Sequence, residues 1–443
     1  MSQPVIVPRA EHTISRKQID PDALRVLYRL HQHDHVAYLV GGSVRDLLLG
    51  LRPKDFDIGT SAHPYQVKRL FRNCWIIGRR FRLAHIKFGA KTIEVATFRR
   101  LLTPQELAAA DAPPAHAVPI EGAAADGHVR LLHRDNTFGT PEEDAFRRDF
   151  TINALFYDIG SFSIIDYTGG LGDLQARLIR SIGDPAERFV EDPVRMLRAV
   201  AMAARLDFTI DAPIEAAIAA HRAELARSAP ARLIEELYKL LRSGASQRAF
   251  HMLADRRLLE PIAAPLQTCT GEALWRSLAA LDAYRCRFDA TPDTLTNAIL
   301  LGSLIVPLGS AVGILAPHRV FSGDREPPPA LGMLPLARRD VDRLRLVLGL
   351  QRRLLDMDLS PRARRALMHR GPFQEALTWL EIHGRAPEVV EHWRGFVEAA
   401  GSFEAQAAAE GAEAPHRRRR RRRRQRRPVA GHETARHRDT EEN

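Results

Sequence analysis

Two aspartates one residue apart, Asp55 and Asp57, are candidates for metal chemistry. Residues 55–58 predict a short strand in which Phe56 points into the core and both carboxylates share the other face. The two side chains would then lie about 7 Å apart along the strand. Such a pair can hold two Mg²⁺ ions, which clamp the attacking and leaving oxygens of a phosphoryl transfer. A solvated strand face shows the same pattern.

A glycine pair precedes these aspartates. Residues 38–40 predict a strand that breaks at Gly41 and Gly42. Ser43 is a candidate N-cap for a short helix that Gly50 ends. Glycines at such a turn let the backbone approach a triphosphate at the helix N-terminus.

The glycine turn, the short helix with Arg45 and the DFD tripeptide together resemble the signature of a nucleotidyltransferase family. This family contains tRNA CCA-adding enzymes and bacterial poly(A) polymerases. The resemblance covers residues 38–241 and implies an α+β fold, in which an all-α neck and body follow a palm-like head. It implies Asp55 and Asp57 as catalytic metal ligands. It also implies that the triphosphate is lined by Gly41, Gly42 and Arg45.

A second family motif is present without departure at residues 147–154, RRDFTINA. Adjacent arginines point to different sides of a helix, so one can reach a phosphate with its planar fork while the other pairs with an acid. Taken alone, the tripeptide RRD would be interpreted as forming an ordinary salt bridge. The resemblance implies phosphate and ribose contacts for Arg147, Arg148 and Asn153, and a catalytic acid at Asp149.

A third acid is expected because the attacking 3′-hydroxyl must lose a proton. Glu94 lies on a predicted strand, residues 92–98, of the kind that carries this acid in the wider superfamily. An edge glutamate is the alternative, and the choice between Glu94 and Asp149 stays open from sequence.

The segment DPVRMLR predicts a helix with Asp192 as N-cap and Pro193 at its first position. Asp192, Arg195 and Arg198 are spaced to lie near one face, where a surface ion pair is the alternative. The segment resembles the family's EDxxR motif, which reads the incoming base. A carboxylate accepts the amino hydrogen of adenine or cytosine while a guanidinium donates to the ring nitrogen. The motif excludes guanine and uracil but does not choose ATP over CTP.

The formal net charge of +11 comes almost entirely from ten arginines within residues 417–427. The rest of the chain is nearly neutral. With the basic segment 77–89, this tail favours the poly(A) polymerase branch of the family. Candidate RNA contacts are Arg79, Arg80, Arg82, Arg417, Arg418, Arg419 and Arg420.

At 443 residues the chain is too long for one core. We expect an N-terminal extension (1–36), the head (37–160), a helical neck (161–250), a helical body (251–400) and a disordered arginine-rich tail (401–443). Three scattered cysteines without zinc or disulfide spacing and an N-terminus without an apolar leader predict a cytoplasmic protein. The uncharged residues 298–316 contain Pro and Gly, which favours buried helices over a membrane span.

These features predict a template-independent polynucleotide adenylyltransferase that adds AMP from ATP to RNA 3′ ends, with two Mg²⁺ ions as cofactors. Such polyadenylation would promote the processing and decay of mRNA. Candidate partners are RNA 3′ ends, ATP, and proteins of RNA decay or RNA chaperoning. The alternatives are a CCA-adding tRNA nucleotidyltransferase, which shares the catalytic residues, and a non-catalytic RNA-binding protein.

Overall fold

The computed structural model describes residues 3–78, 82–100, 137–312, 314–315 and 329–413. The chain divides into two compact units, Met1–Pro387 and Glu388–Asn443. Arg79, Arg80 and the tail arginines 417–420, which we predicted to contact RNA, lie outside the described residues.

The first unit contains an eight-stranded mixed sheet in the order β1-β8-β7-β2-β3-β6-β5-β4. Its strands are β1 (Val5–Val7), β2 (Ala37–Val40), β3 (Ile58–Thr60), β4 (Cys74–Ile77), β5 (Leu83–Phe88), β6 (Lys91–Thr97), β7 (Leu155–Asp158) and β8 (Ser163–Asp166). β3 and β6 pair in parallel, while the other neighbouring strands of the sheet are antiparallel.

Helices α1 (Pro21–His31), α2 (Gly42–Leu48), α3 (Pro64–Leu70) and α4 (Pro141–Phe146) belong to the same region. α1 contacts β2 and β3, and α3 contacts β4 and β5. Alternation along the strands buries Ile86, Ile93 and Val95 on one face of the sheet. The opposite face carries polar and exposed side chains, so it is the face available to a substrate.

The chain after β8 is mainly helical, as predicted. Its helices are α5 (Gly170–Gln175), α6 (Pro185–Glu191), α7 (Val194–Leu206), α8 (Ala212–His221), α9 (Pro230–Leu241), α10 (Ser246–Asp255), α11 (Glu260–Thr268), α12 (Glu272–Arg285), α13 (Asn297–Ile305), α14 (Arg338–Leu354), α15 (Pro361–Met368) and α16 (Phe373–His383). Short strands pair between them as β9 (Leu178–Ile179) with β10 (Thr209–Ile210), and as β11 (Ala330–Leu331) with β12 (Leu334–Pro335). Short 3₁₀ helices are Arg9–Glu11, Arg16–Gln18, Thr151–Asn153, Arg222–Arg227 and Val306–Val312.

The sheet crosses both limits that the sequence suggested for the head. β1 comes from the segment assigned to an N-terminal extension, and β8 follows residue 160. Both strands are only three to four residues long, too short to give a clear alternating pattern. The head therefore includes residues on either side of 37–160.

Two local predictions around the glycine turn are wrong. The strand begins at Ile58 rather than Asp55, because β2 turns away after Val40 and leaves the first residues of DFD without a partner strand. The N-cap of α2 is Gly41, and Ser43 lies inside the helix, where its Oγ donates to Val40 O at 3.1 Å.

Helix α13 is buried along Ala298–Ile305, as predicted. Within the described part of the chain, no helix combines the length and apolar character that crossing a membrane requires.

The second unit contains most of the long helix α17 (Pro387–Glu413). The helix extends into the stretch assigned to the tail, since the alanines and glutamates there favour helix formation.

Candidate active site

The glycine turn brings the RRDFTINA segment against the start of α2. Gly41 adopts φ +69° and ψ −125°, a conformation that side chains rarely tolerate, and its N–H donates to Leu155 O at 3.0 Å. A Cβ at Gly41 would lie 3.0 Å from Arg148 Nη1 and 3.4 Å from Asn153 O. Glycine is therefore required here both by backbone conformation and by the close approach of the arginine.

Asp57 lies beside Glu94 on the open face of the sheet. Ile58 pairs with Val95 in the parallel ladder, and both are buried, so the residues just before them share the opposite face. The pKa of Asp57 is raised to about 6 because burial removes hydration and because Glu94 and Asp55 add negative charge. The side chain of Asp57 nevertheless keeps an exposed surface. Asp57 is therefore close enough to Glu94 and Asp55 for their charges to act on it.

Their chemistry fits a hard divalent cation. Mg²⁺ prefers carboxylate oxygens, and the mutual repulsion at Asp57 is relieved by added positive charge. In the structure Asp55 is 73% exposed and 4.0 Å from Lys54 Nζ, while Glu94 is 50% exposed and 3.5 Å from His85 Nε2. Among the described residues, no group of three or more His, Cys, Asp or Glu side chains is arranged for a metal as it stands.

Both arginines of RRD share one buried acid that sequence reasoning missed. Arg147 Nε donates to Asp144 Oδ1 at 3.1 Å, and Arg148 Nη2 donates to Asp144 Oδ2 at 2.9 Å. Burial alone would raise the pKa of Asp144, but these two guanidinium groups outweigh it and lower the pKa. Arg148 Nη1 also donates to Asn153 O at 3.1 Å. Sequence reasoning predicted an acid partner for one arginine and a phosphate for the other, and the structure shows an acid partner for both. The spacing of Asp144 three and four residues before them was the available signal.

Asp149 lies in a different environment from Asp57. It is buried, its Oδ1 accepts from Phe150 N at 3.0 Å, and its Oδ2 lies 2.8 Å from Arg198 Nη2. The charges that act on Asp57 are those of Glu94, Asp55 and Arg148. Of the two candidates for a third acid, the fold thus brings Glu94 to the aspartate pair and gives Asp149 an arginine partner from α7.

Arg45 is only 5% exposed. Its Nε donates to Asp46 Oδ1 at 2.8 Å, and its Nη1 donates to Asn153 Oδ1 at 2.5 Å. Burial lowers its pKa, while Asp46 opposes this effect. Arg205 of α7 also donates to Asp46. Arg45 therefore joins α2 to the RRDFTINA segment and, through Asp46, to α7. This position speaks against direct contact with the triphosphate.

The residues of the predicted base-reading motif have separate partners. Asp192 is the C-cap of α6 and does not cap α7, whose N-cap is Pro193, because the chain bends between the two helices. Asp192 Oδ2 accepts from Arg232 Nη2 at 2.9 Å. Arg195 Nη1 donates to Glu191 Oε2 at 2.7 Å. The predicted N-cap is thus wrong, and Asp192 and Arg195 lie on either side of the helix junction.

Arg188, which the sequence did not single out, connects α6 to the RRD segment. Its Nη2 donates to the carbonyl oxygens of Arg147 and Arg148 at 2.9 and 2.6 Å, and its Nη1 donates to Glu191 Oε2 at 3.0 Å. Its position on the helix that leads into EDPVR was the only sequence signal. Arg82, a predicted RNA contact, is exposed, and its guanidinium carbon lies 5.9 Å from the centroid of the Tyr65 ring.

Three family models match the chain. They are the Poly A polymerase head domain at residues 37–180, the "Probable RNA and SrmB- binding site of polymerase A" at residues 207–268 and the "Polymerase A arginine-rich C-terminus" at residues 331–428. The head match extends beyond residue 160, in agreement with the place of β8 in the sheet.

Poly(A) polymerase I of Salmonella typhimurium is 49% identical over 263 residues, which are 58% of this chain and 53% of that protein. A CCA-adding enzyme of Lactobacillus johnsonii is 35% identical over 240 residues, 54% of each chain. The chain spans about half the length of these curated relatives. Among solved structures, the Bacillus stearothermophilus CCA-adding enzyme in complex with CTP is 27% identical, with a TM-score of 0.58 over 86% of this chain and 83% of that one. The three family matches and the fold agree: the chain carries a poly(A) polymerase head domain and is similar to poly(A) polymerases and CCA-adding enzymes.

Proposed function

We propose that the protein is a Mg²⁺-dependent polynucleotide adenylyltransferase, which adds AMP from ATP to RNA 3′ ends without a template. The observation that carries the proposal is the parallel register of β3 and β6, which places Asp57 beside Glu94, within reach of the charges of Asp55 and Arg148. The similarity to Poly(A) polymerase I supports adenylate addition over CCA addition. We propose that this activity serves the polyadenylation of mRNA in the cytoplasm. Its products would be passed to proteins of RNA decay or RNA chaperoning.

The reaction joins the 3′-oxygen of RNA to the α-phosphorus of ATP. The bond between that phosphorus and the oxygen bridging to the β-phosphate breaks, and pyrophosphate leaves with the electron pair. The proton of the 3′-hydroxyl passes to the carboxylate of Glu94, which lies 3.5 Å from His85 Nε2. Mg²⁺, when held by Asp55 and Asp57, supplies positive charge that the phosphate oxygens need in the transition state.

The remaining site residues position the nucleotide. Gly41 and Gly42 let the triphosphate approach the backbone, and Arg147 and Arg148 face it from the RRD segment. Arg45 and Asn153 hold α2 and the RRDFTINA segment together, and Asp149 positions Arg198 on α7. The hydrogen bonds around Asp144 and Asp46 support the proposed positioning roles of Arg148, Arg45 and Asn153.

For base selection we propose Asp192 and Arg195. Asp192 uses Oδ2 for Arg232, and its Oδ1 can accept the amino hydrogen of adenine. Arg195, held by Glu191, can donate to the ring nitrogen. Cytosine offers the same pattern, so the discrimination between ATP and CTP requires further residues.

The test is incorporation of each of the four nucleoside triphosphates, supplied separately, into an unstructured RNA. We expect long products with ATP alone and none with Asp57→Asn or Asp55→Asn. Addition of CTP to a tRNA that lacks its 3′ end would instead favour a CCA-adding enzyme. Absence of incorporation with RNA that is nevertheless bound would favour a non-catalytic RNA-binding protein.

A further inference from the structure

One row of side chains crosses the open face of the sheet from its edge to the carboxylates. Trp75 of β4 pairs with His85 of β5, and His85 pairs with Glu94 of β6. Asp57 is the next member, because it precedes the Ile58–Val95 pair. Side chains at paired positions lie on the same face. Three strand spacings of about 4.8 Å place Trp75 roughly 14 Å from Asp57.

The outer end of this row is apolar and exposed. Trp75 is 50% exposed and Ile77, two residues along the same strand, is 47% exposed. β4 is the last strand of the sheet, so within the described residues no further strand continues the face. Cys74, which precedes Trp75 on β4, and Ile86, its partner on β5, point to the other face and are buried. Since these two residues already fill the core side, packing within the described part of the chain does not account for an exposed indole here.

A cation accompanies the indole. Lys87 Nζ lies 5.2 Å from the centroid of the Trp75 ring. Lys87 is two residues from His85 on β5, and alternation therefore puts it on the same face as the row. An aromatic ring beside a lysine is the pair of groups that binds single-stranded nucleic acid, because the ring stacks on a base while the lysine pairs with a phosphate. An apolar protein partner would leave this charge uncompensated.

We infer that Trp75 is the stacking platform for a nucleobase of the RNA strand a few positions before its reacting 3′ end, with Lys87 binding the neighbouring phosphate. The inference rests on the proposed function, because the row leads to the carboxylates that act on the 3′-hydroxyl. In the free protein Lys87 covers the indole. An arriving base takes that face, and the lysine moves to the phosphate. His85 lies between the platform and Glu94, so the strand passes over it.

The experiment compares Trp75→Ala, Trp75→Phe and Ile6→Ala in the full chain. Ile6 is the matched control, since it is 59% exposed on β1, the opposite edge of the same sheet. Kinetics with an unstructured oligoadenylate give KM for RNA, KM for ATP and kcat. Fluorescence anisotropy of the same RNA without ATP and Mg²⁺ gives its Kd.

We expect Trp75→Ala to raise both KM for RNA and Kd by about 5-fold to about 100-fold, the range that base–aromatic stacking supplies. KM for ATP and kcat at saturating RNA should stay within about twofold of wild type, and Trp75→Phe should restore most of the affinity. An RNA with one abasic nucleotide at successive positions should show one position whose removal weakens wild-type binding but not binding by Trp75→Ala.

Unchanged RNA affinity in Trp75→Ala would overturn the inference and leave the edge of β4 to a protein strand. Equal losses in Trp75→Ala and Trp75→Phe would also overturn it, because stacking would then not be the cause. If the wild-type protein incorporates no nucleotide, the proposed function fails, and the anisotropy measurement alone still decides whether Trp75 binds RNA.

Discussion

Replacing Asp57 with Asn should stabilise the metal-free protein while abolishing AMP transfer. Folding raises the pKa of Asp57 from its ordinary value of 3.8 to about 6, through lost hydration and the charges of Glu94 and Asp55. The folded state therefore resists ionisation of this carboxyl group. Its cost to stability is absent when the pH lies below the unfolded pKa and is complete once the pH exceeds the folded pKa.

The size of this effect follows from the shift. A difference of about two pKa units corresponds to about 3 kcal/mol. Because the side chain keeps an exposed surface and salt screens its neighbours, we expect roughly 1 kcal/mol of that to be measurable. Asn removes the charge but retains the shape, so the variant should gain this amount at about pH 8 and almost nothing at about pH 3.

The assay is urea denaturation with EDTA at both pH values, with Asp55→Asn as the control. Asp55 is 73% exposed, and its replacement should change the free energy of unfolding less. Adding Mg²⁺ should then stabilise the wild type more than Asp57→Asn, since only the wild type retains both ligands. Equal stability of wild type and Asp57→Asn near pH 8 without metal would refute the idea that the carboxylates repel one another in the folded protein.

Four further predictions can be measured independently. Gly41→Ala should cost more stability and activity than Gly50→Ala. Both residues have φ near +70°, but a Cβ at Gly50 meets no atom within 4 Å. If both variants lose equally in thermal unfolding and in AMP transfer, backbone strain of about 1–2 kcal/mol is the whole effect and the contact with Arg148 adds nothing. Burial lowers the pKa of His383 to about 4 from 6.5. The folded protein therefore keeps this ring neutral, and the free energy of unfolding should fall as the pH drops from about 6.5 to about 4. His383→Gln should remove up to about 3 kcal/mol of this fall, as measured by urea denaturation near pH 4 and near pH 7. Asp192→Ala should weaken discrimination against GTP and UTP more than it weakens RNA binding, and unchanged discrimination in the four-nucleotide assay would leave Asp192 as the partner of an arginine only. Removal of residues 416–443 should flatten the salt dependence of RNA binding by a slope of about 0.7 for each phosphate that the tail neutralises, and an identical slope in full-length and shortened protein would exclude tail binding to the RNA.

The sequence by itself determined the local features of the head. The turn at Gly41, the strand before it and the helix that Gly50 ends follow from glycine conformation and apolar alternation over a few residues. The strand after the helix was predicted three residues too early. The motifs at residues 55–57 and 147–154 indicated the family through their resemblance to its signature. Such information is contained in contiguous stretches of chain.

Only the tertiary structure decided which side chains meet. Glu94 comes to Asp57 through the parallel register of β3 and β6, whereas Asp149 faces Arg198 of α7. The sequence indicates a phosphate ligand at Arg45, yet in the structure this arginine is buried and donates to its neighbour Asp46. Its other partner, Asn153, lies more than a hundred residues later in the chain. Strand register and helix packing bring together residues that are far apart in the chain, so the partner of a charged side chain cannot be inferred from its neighbours in sequence. The partners are set by burial and geometry, because a buried charge must be paired wherever the fold places it.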